Sequence, residues 1–283
     1  MAYPKALYLG CLIGMTSMQI AQAQVVITGD VGVEFGRSTI LSTDDADQEF
    51  GQLTYGVNGS IMASLASGWS GALDFNMMGR DIGSNDFDEF APSGAGSLGL
   101  HVGRDFGGNY VGAFYGMNRF QGDDASSPNG FLTGNLYGIE GEFALGSSTT
   151  MFAQYGTAEM IGDGTDTAFE GNFYRLGVST RVNEKFTISL ETEMGRSSER
   201  FEDDGDWGEY RTVSLSGEYK FAPRLIGTLT VSQMDIAANT EDLGRDNSVS
   251  IGLSIPLGAD HRKSNLTTSY NPGLAAAWAE TLD

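Results

Sequence analysis

In several segments of this chain, charged side chains occupy alternate positions between apolar ones. Glu191 and Glu193 alternate with Leu190 and Met194, for example, so an extended backbone would put both carboxylates on one face. Such rows of charge line water-filled passages that select ions by size and sign. The predicted pore-lining charges are Asp30, Glu34, Asp74, Glu140, Glu142, Glu191, Glu193 and Glu218, and Arg80, Arg175, Arg181 and Lys220. Carboxylates outnumber cations in this set, which predicts a weak preference for cations.

Catalysis is the rival chemistry, and the sequence argues against it. A hydrolase with a serine or cysteine nucleophile needs a histidine beside that nucleophile, and the chain has only two, His101 and His261. His101 alternates with Leu100 and Val102, so we predict that it faces the same lumen as the pore-lining charges. His261 lies near the C-terminus, and no hydrolase motif surrounds either histidine. The sequence therefore predicts no catalytic residue, no metal site, no cofactor and no enzyme.

The same alternation predicts the elements that position these charges. Residues 247–258 place Val249, Ile251 and Leu253 on one face, with serine and glycine on the other. Successive strand side chains point to opposite faces, so each such segment has one apolar and one polar face. The segments with this pattern are 25–37, 49–65, 70–81, 95–106, 109–120, 133–146, 147–160, 168–182, 184–201, 207–222, 223–236 and 247–258.

Connections between these twelve segments alternate in length. Short turns are predicted at 66–69, 107–108, 146–147, 183–184 and 222–223. Long connections are predicted at 38–48, 82–94, 121–132, 161–167, 202–206 and 237–246, and most of them carry acidic runs. Strict alternation of short and long connections predicts an up-and-down meander with all long loops at one end.

Two architectures use one apolar and one polar strand face. A soluble sandwich buries the apolar face between sheets, whereas a transmembrane barrel turns it to lipid and turns the polar face to a lumen. Aromatic residues near the predicted strand ends favour the barrel, because membrane interfaces attract aromatic rings. They are Trp69, Phe106, Tyr110, Phe186, Tyr219 and Phe221 by short turns, and Phe35, Phe50, Phe120, Phe131, Phe169, Phe201 and Trp207 by long loops. We predict an all-β, antiparallel, up-and-down transmembrane β-barrel of about twelve strands.

Composition excludes several other classes. The chain has 283 residues, a formal net charge of -21 and a single cysteine, so it holds no disulfide framework. A chain this acidic would be repelled by the phosphates of nucleic acid. Aromatic residues make up 11% of it and apolar residues recur regularly, which disfavours intrinsic disorder.

The N-terminus has the pattern of an export signal. Lys5 precedes a mildly apolar stretch, and Ala21-Gln22-Ala23 has the small residues that favour cleavage. We predict a signal peptide at 1–23, a mature chain that begins at Gln24, a barrel at 24–258, and a periplasmic tail or plug at 259–283. Cys11 raises the alternative of a lipoprotein signal, but the apolar stretch before it is very short.

Two segments resemble parts of Gram-negative outer-membrane porins. Residues 25–33, Val-Val-Ile-Thr-Gly-Asp-Val-Gly-Val, look like the first strand of those proteins. The segment at 250–257 resembles the signal that the outer-membrane barrel-assembly machinery reads, with Ser250, Gly252, Ile255 and Leu257 in the matching positions. The resemblance implies location in the outer membrane as a multi-pass barrel and passive diffusion of small hydrophilic solutes.

This chain departs from general porins in two respects. Those proteins usually have sixteen strands and end on an aromatic residue, whereas this sequence predicts twelve and ends at Asp283. In general porins the third long loop folds inward and narrows the pore. The resemblance therefore implies such a role for the connection at 121–132, with Asp123 and Asp124.

Three functions are compatible with the sequence. The first is a porin-like channel with outer-membrane lipid and lipopolysaccharide, the assembly machinery and small solutes as partners. The second is a closed structural or adhesive barrel that binds partners through acidic surface loops. The third is a soluble sandwich. A monomer and a homo-oligomer both fit the sequence.

Overall fold

A computed structural model describes residues 25–42, 49–81, 94–121, 131–161, 167–197, 208–238 and 241–258. The signal peptide predicted at 1–23 and the tail at 259–283 lie outside these residues. The described part forms twelve strands: β1 (Val26–Ser42), β2 (Glu49–Ser64), β3 (Trp69–Asp81), β4 (Gly94–Phe106), β5 (Asn109–Gln121), β6 (Phe131–Ala144), β7 (Thr149–Ile161), β8 (Thr167–Arg181), β9 (Phe186–Ser197), β10 (Gly208–Ala222), β11 (Leu225–Ala238) and β12 (Glu241–Leu257).

The twelve strands close into one barrel. Each strand pairs with its neighbours in sequence, and β1 also pairs with β12. Glu34 of β1 lies opposite Gly56 of β2 and Gly252 of β12, which shows the closure at residue level. All these pairs are antiparallel, so the predicted fold class and strand number are confirmed. A closed barrel leaves no sheet edge with unpaired backbone groups.

The outward face of the barrel is apolar, as the alternation predicted. In β12, Val249, Ile251 and Leu253 are about half exposed, whereas Ser250 and Gly252 between them face inward. The same exposed apolar face continues through all twelve strands. Soluble monomers rarely expose apolar patches beyond a few hundred Å², so this surface disfavours the soluble sandwich.

Within the described ranges, no helix is long and apolar enough to cross a membrane.

Tight turns join the strands at one end of the barrel. The turn between β4 and β5 is Gly107-Gly108, with φ values of 59° and 95°. Two-residue hairpins favour such positive φ values because they match the strand twist, and glycine adopts them without strain. All five predicted short turns are present at this end.

The prediction of a long connection at 237–246 was wrong. β11 continues to Ala238 and β12 begins at Glu241. Within the predicted loop, Arg245 pairs with Asp235 of β11 and with Leu41 of β1. β1 likewise runs to Ser42 rather than ending near residue 37. Polar side chains do not stop backbone pairing, so these strands extend past the apolar belt.

Most of the predicted interfacial aromatics that the structure describes face outward. Trp69, Phe106 and Phe221 by the short turns are each at least half exposed, and Phe35 of β1 is 64% exposed. The prediction for Tyr110 was wrong, because this ring is buried inside the barrel. It occupies an even position of β5, and the outward positions of that strand are odd. Phe201 and Trp207 lie outside the described residues.

Side chains fill the interior unevenly. Phe114, Phe152 and Phe173 of β5, β7 and β8 point inward and are almost fully buried. The rings of Phe114 and Phe173 lie 6.0 Å apart, with Gly156 beneath them. The inward positions of β1, β2, β11 and β12 carry mostly small or polar residues. One side of the lumen is therefore packed, and the other leaves space.

Gly156 provides a stability test of this packing. A Cβ there would lie 2.6 Å from the backbone oxygen of Tyr137 and 2.9 Å from the rings of Phe114 and Phe173. We expect Gly156→Ala to destabilise the folded barrel by about 1–3 kcal/mol, as overpacking does in other cores. Urea titration followed by heat-modifiable gel migration measures this. Gly252→Ala is the control, because its nearest contact would be 3.5 Å away, and an equal loss in both variants would contradict the packing argument.

Candidate functional site

The open side of the lumen is a polar cavity of about 280 Å³. Its walls come from β1–β3 and β7–β12, and no residue of β4, β5 or β6 contributes to it. The charged side chains in its lining are Asp30, Glu34, Asp74, Arg175, Glu191 and Glu218. All six belong to the set predicted from the sequence. The cavity thus holds five carboxylates and one guanidinium.

The single cation of the cavity is held by a paired carboxylate. Arg175 of β8 donates from Nε to Glu191 Oε1 at 2.5 Å and from Nη2 to Oε2 at 2.7 Å. It also donates to Gln154 Oε1 at 3.2 Å and lies over the ring of Phe152, 5.5 Å from its centre. A two-point Arg–carboxylate pair of this kind fixes both side chains. The remaining carboxylates therefore dominate the electrostatic field of the cavity.

The carboxylates of β1 lie where neighbouring strands leave room. Asp30 accepts a hydrogen bond from Ser60 Oγ at 2.7 Å, which orients its carboxylate. Glu34 lies between two glycines, Gly56 and Gly252, on the flanking strands. Because neither neighbour has a side chain, the Glu34 carboxylate faces the cavity, where a passing cation would meet it.

A buried hydrogen-bond network lies beside the cavity. His101 places Nε2 2.7 Å from Asp74 Oδ1 and Nδ1 2.9 Å from Glu140 Oε2. Glu140 also accepts from Tyr110 Oη at 2.9 Å and from Gln154 Nε2 at 3.0 Å. With a carboxylate at each ring nitrogen, an imidazolium satisfies both acceptors. Asp74 connects the network to the cavity, because it takes part in both.

The other predicted residues lie away from the cavity. Glu142 is buried beside His101 and Glu140 in a smaller pocket. Glu193 accepts a hydrogen bond from Tyr210 Oη at 2.7 Å. Arg181 reaches the Ser147 carbonyl at the short-turn end, and Lys220 is exposed near the same end. Arg80 belongs to β3, and its side chain lies outside what the structure describes.

Uncharged inward residues were missed in the sequence. Tyr110, Tyr210 and Gln154 hold the buried carboxylates, and Asn58 and Asn76 line the cavity. The alternation of inward and outward positions along each strand was the signal that would have found them. Each lies an even number of positions from another inward residue of its strand. Parity considered for charged residues alone does not include them.

The geometry of His101 disfavours nucleophilic catalysis. A general base needs a ring nitrogen that can take the proton of a nucleophile, and both nitrogens of His101 face carboxylates. In the described part of the chain, no group of three or more His, Cys, Asp or Glu side chains is arranged to hold a metal ion. What the arrangement can do is attract small cations into a polar cavity.

Comparison with known proteins places the fold among outer-membrane β-barrels. An outer-membrane channel from Pseudomonas putida F1 shares 8% sequence identity, with 86% of this chain and all of that one covered, at a TM-score of 0.55. The translocator domain of the autotransporter NalP from Neisseria meningitidis matches at 11% identity over 83% and 90% of the chains, with a TM-score of 0.48. OmpT of Vibrio cholerae matches at 14% identity over 82% and 97%, with a TM-score of 0.45.

No family model matches the chain, and no curated protein matches it. The likeness is therefore one of fold, carried by the Pseudomonas structure.

Proposed function

We propose that this protein is an outer-membrane channel for passive diffusion of small hydrophilic solutes, with a weak preference for cations. The observation that carries the proposal is the charge of the cavity, whose described lining has five carboxylates and one guanidinium. The guanidinium is paired with one of the five, Glu191. Rings of acidic side chains favour cations in channels. The low-dielectric wall of a barrel would strengthen that field.

Two further findings support the membrane location. The barrel exposes apolar side chains all round its circumference, as a lipid-facing surface requires. The Pseudomonas structure with the same fold is described as an outer-membrane channel.

A closed structural barrel is the second candidate, and the packed side of the lumen favours it. Phe114, Phe152 and Phe173 together with the His101 network occupy the interior next to β5–β8. If the tail or a loop occupied the remaining cavity, the barrel would be blocked, and its outer loops would carry the function.

Conductance separates these two functions. We expect detergent-folded mature protein to give stable steps in a planar bilayer, and a cation-positive reversal potential under a salt gradient. A form without residues 259–283 is the comparison, because steps that appear only after truncation would identify the tail as a plug. Silence from both forms, with folding shown by heat-modifiable migration, would contradict the channel.

We also propose that β12 carries the assembly signal. Gly252 faces the lumen and Ile255 and Leu257 face outward in this last strand. β12 closes the barrel on β1, so its β1-facing edge is open to a partner only before closure. We expect Ile255→Asp with Leu257→Asp to lower outer-membrane levels in cells at least about tenfold, because assembly signals end on apolar residues. Quantitative blotting of membrane fractions measures this, and Leu229→Asp with Val231→Asp in the outward face of β11 is the control for lipid-facing charge.

A further inference from the structure

Arginines cluster on the outward face near the long-loop end of the barrel. The described ones are Arg37, Arg119, Arg196, Arg211 and Arg245, all of which are exposed. Those of β5, β9, β10 and β12 lie one to three outward positions past the last exposed large apolar residue of their strand, toward the long loops, whereas Arg37 lies between Phe35 and Leu41 of β1. These residues do not contribute to the lumen, so the channel does not explain them.

The most compact part of this set spans three adjacent strands. Arg211 of β10 lies opposite Asp235 of β11, which lies opposite Arg245 of β12. Arg245 Nε donates to Asp235 Oδ1 at 2.5 Å, and Gln233 Nε2 lies 3.2 Å from both oxygens of that carboxylate. Paired strands are about 4.8 Å apart, so the backbones of the two arginines are about 10 Å apart. Two guanidiniums flank one carboxylate, which leaves the patch positive.

Arg37 shows in which direction such side chains extend. A Cβ added at Gly51 would lie 2.9 Å from Arg37 Nη2, so the guanidinium lies over Gly51. Gly51 is two residues nearer the long-loop end than Leu53, the partner of Arg37 across β1 and β2. The guanidinium therefore bends away from the apolar belt toward that end, as long basic side chains do at a membrane interface.

The position of these arginines near the long-loop end suits contact with lipid headgroups rather than with the bilayer midplane. A basic side chain on the lipid face costs roughly 2–4 kcal/mol at the bilayer midplane but roughly 0–1 kcal/mol near the interface. A guanidinium offers a planar fork of donors that fits phosphate oxygens at two points. The protein as a whole carries a net charge of -21, so a positive patch on its outward face differs from the rest of the molecule. Such a patch would attract anionic ligands at the membrane surface.

We propose that Arg211 and Arg245, with Gln233, bind the phosphate of a phosphorylated glycolipid in the outer leaflet. The arginine side chains hold the phosphate, and the apolar belt below them packs against the acyl chains. Asp235 keeps Arg245 oriented through its ion pair. The site rests on the membrane location proposed above, but it does not depend on conduction.

Native mass spectrometry of the folded protein tests this site. The protein is mixed with diphosphoryl lipid A or with lipid A lacking both phosphates, and lipid-bound species are counted. We expect retention of the diphosphoryl form to exceed that of the dephosphorylated form at least about tenfold. The double variant Arg211→Gln with Arg245→Gln is expected to remove this preference.

Arg104→Gln is the matched control. Arg104 is also outward and exposed, but it lies at the short-turn end over the ring of Phe106, and its loss should leave lipid retention unchanged. Equal retention of both lipids, or equal losses in the control and the double variant, would overturn the site. Displacement by inorganic phosphate at equal concentration would show a free-phosphate site and overturn the lipid assignment. Conductance of the double variant is measured in parallel, so that failure of the channel is seen separately.

Discussion

Replacing Glu34 and Glu218 together by lysine is expected to abolish the cation preference and bring the reversal potential close to zero, because the described cavity lining then holds three carboxylates and three cations. Both carboxylates line the cavity, Glu34 from β1 and Glu218 from β10, which lies three strands further round the barrel. Glu34 has glycine neighbours on both sides, so a lysine there can extend into the cavity without displacing packed side chains.

The magnitude follows from Coulomb's law. Two unit charges about 6 Å apart interact by about 0.7 kcal/mol in water. The double substitution changes the cavity by four units of charge, so a solute ion near both sites experiences a shift of about 3 kcal/mol before screening. At 0.1 M salt the Debye length is about 10 Å, which lowers this figure but does not remove it. We therefore expect the cation-to-anion permeability ratio to fall to about one.

Planar-bilayer recordings under a salt gradient measure this change. Glu209→Lys is the control, because it makes the same change of charge on the outward face of β10 instead of in the cavity. A cation-preferring double variant would show that the cavity is not the conducting path. An equal loss of cation preference in the control would show that selectivity comes from surface charge.

Sequence reasoning reached the fold because one rule governs every strand. The alternation in residues 247–258 needs no long-range information, since backbone geometry alone sends Val249 and Ser250 to opposite faces. The strand ends were less accurate. Arg245 and Asp246 look like a loop in the sequence, yet β12 runs through them because β1 and β11 supply paired backbone on both sides.

The site was only partly predictable for a different reason. Parity places Asp30, His101 and Glu218 inside, but it does not say which of them meet. Glu140 of β6 lies 39 positions from His101 of β4 in sequence, and the two side chains are in contact inside the barrel. That proximity depends on barrel shear and on how aromatic rings fill the interior. The division into a packed side and an open side therefore appears only in three dimensions.

Removing Glu140 is expected to have the largest effect on stability. This carboxylate is 5% exposed and accepts hydrogen bonds from His101, Tyr110 and Gln154. Glu140→Leu would leave three buried donors without their acceptor. Breaking a buried ion pair from one side costs about 3–5 kcal/mol in other proteins, because the remaining group stays buried without compensation.

The urea midpoint of heat-modifiable migration measures this loss, and Glu140→Gln separates charge from shape. Glutamine keeps the length and one acceptor oxygen, so we expect it to lose less than leucine but more than Glu218→Gln, whose side chain lies in the open cavity. In a folded Glu140→Leu protein only Asp74, on the cavity wall, would still hold His101, so we expect the ring to move more and conductance to occur in larger or noisier steps. A variant as stable as the parent would mean that the network does not support the packed side of the lumen, and would favour a lumen held open by the strands alone.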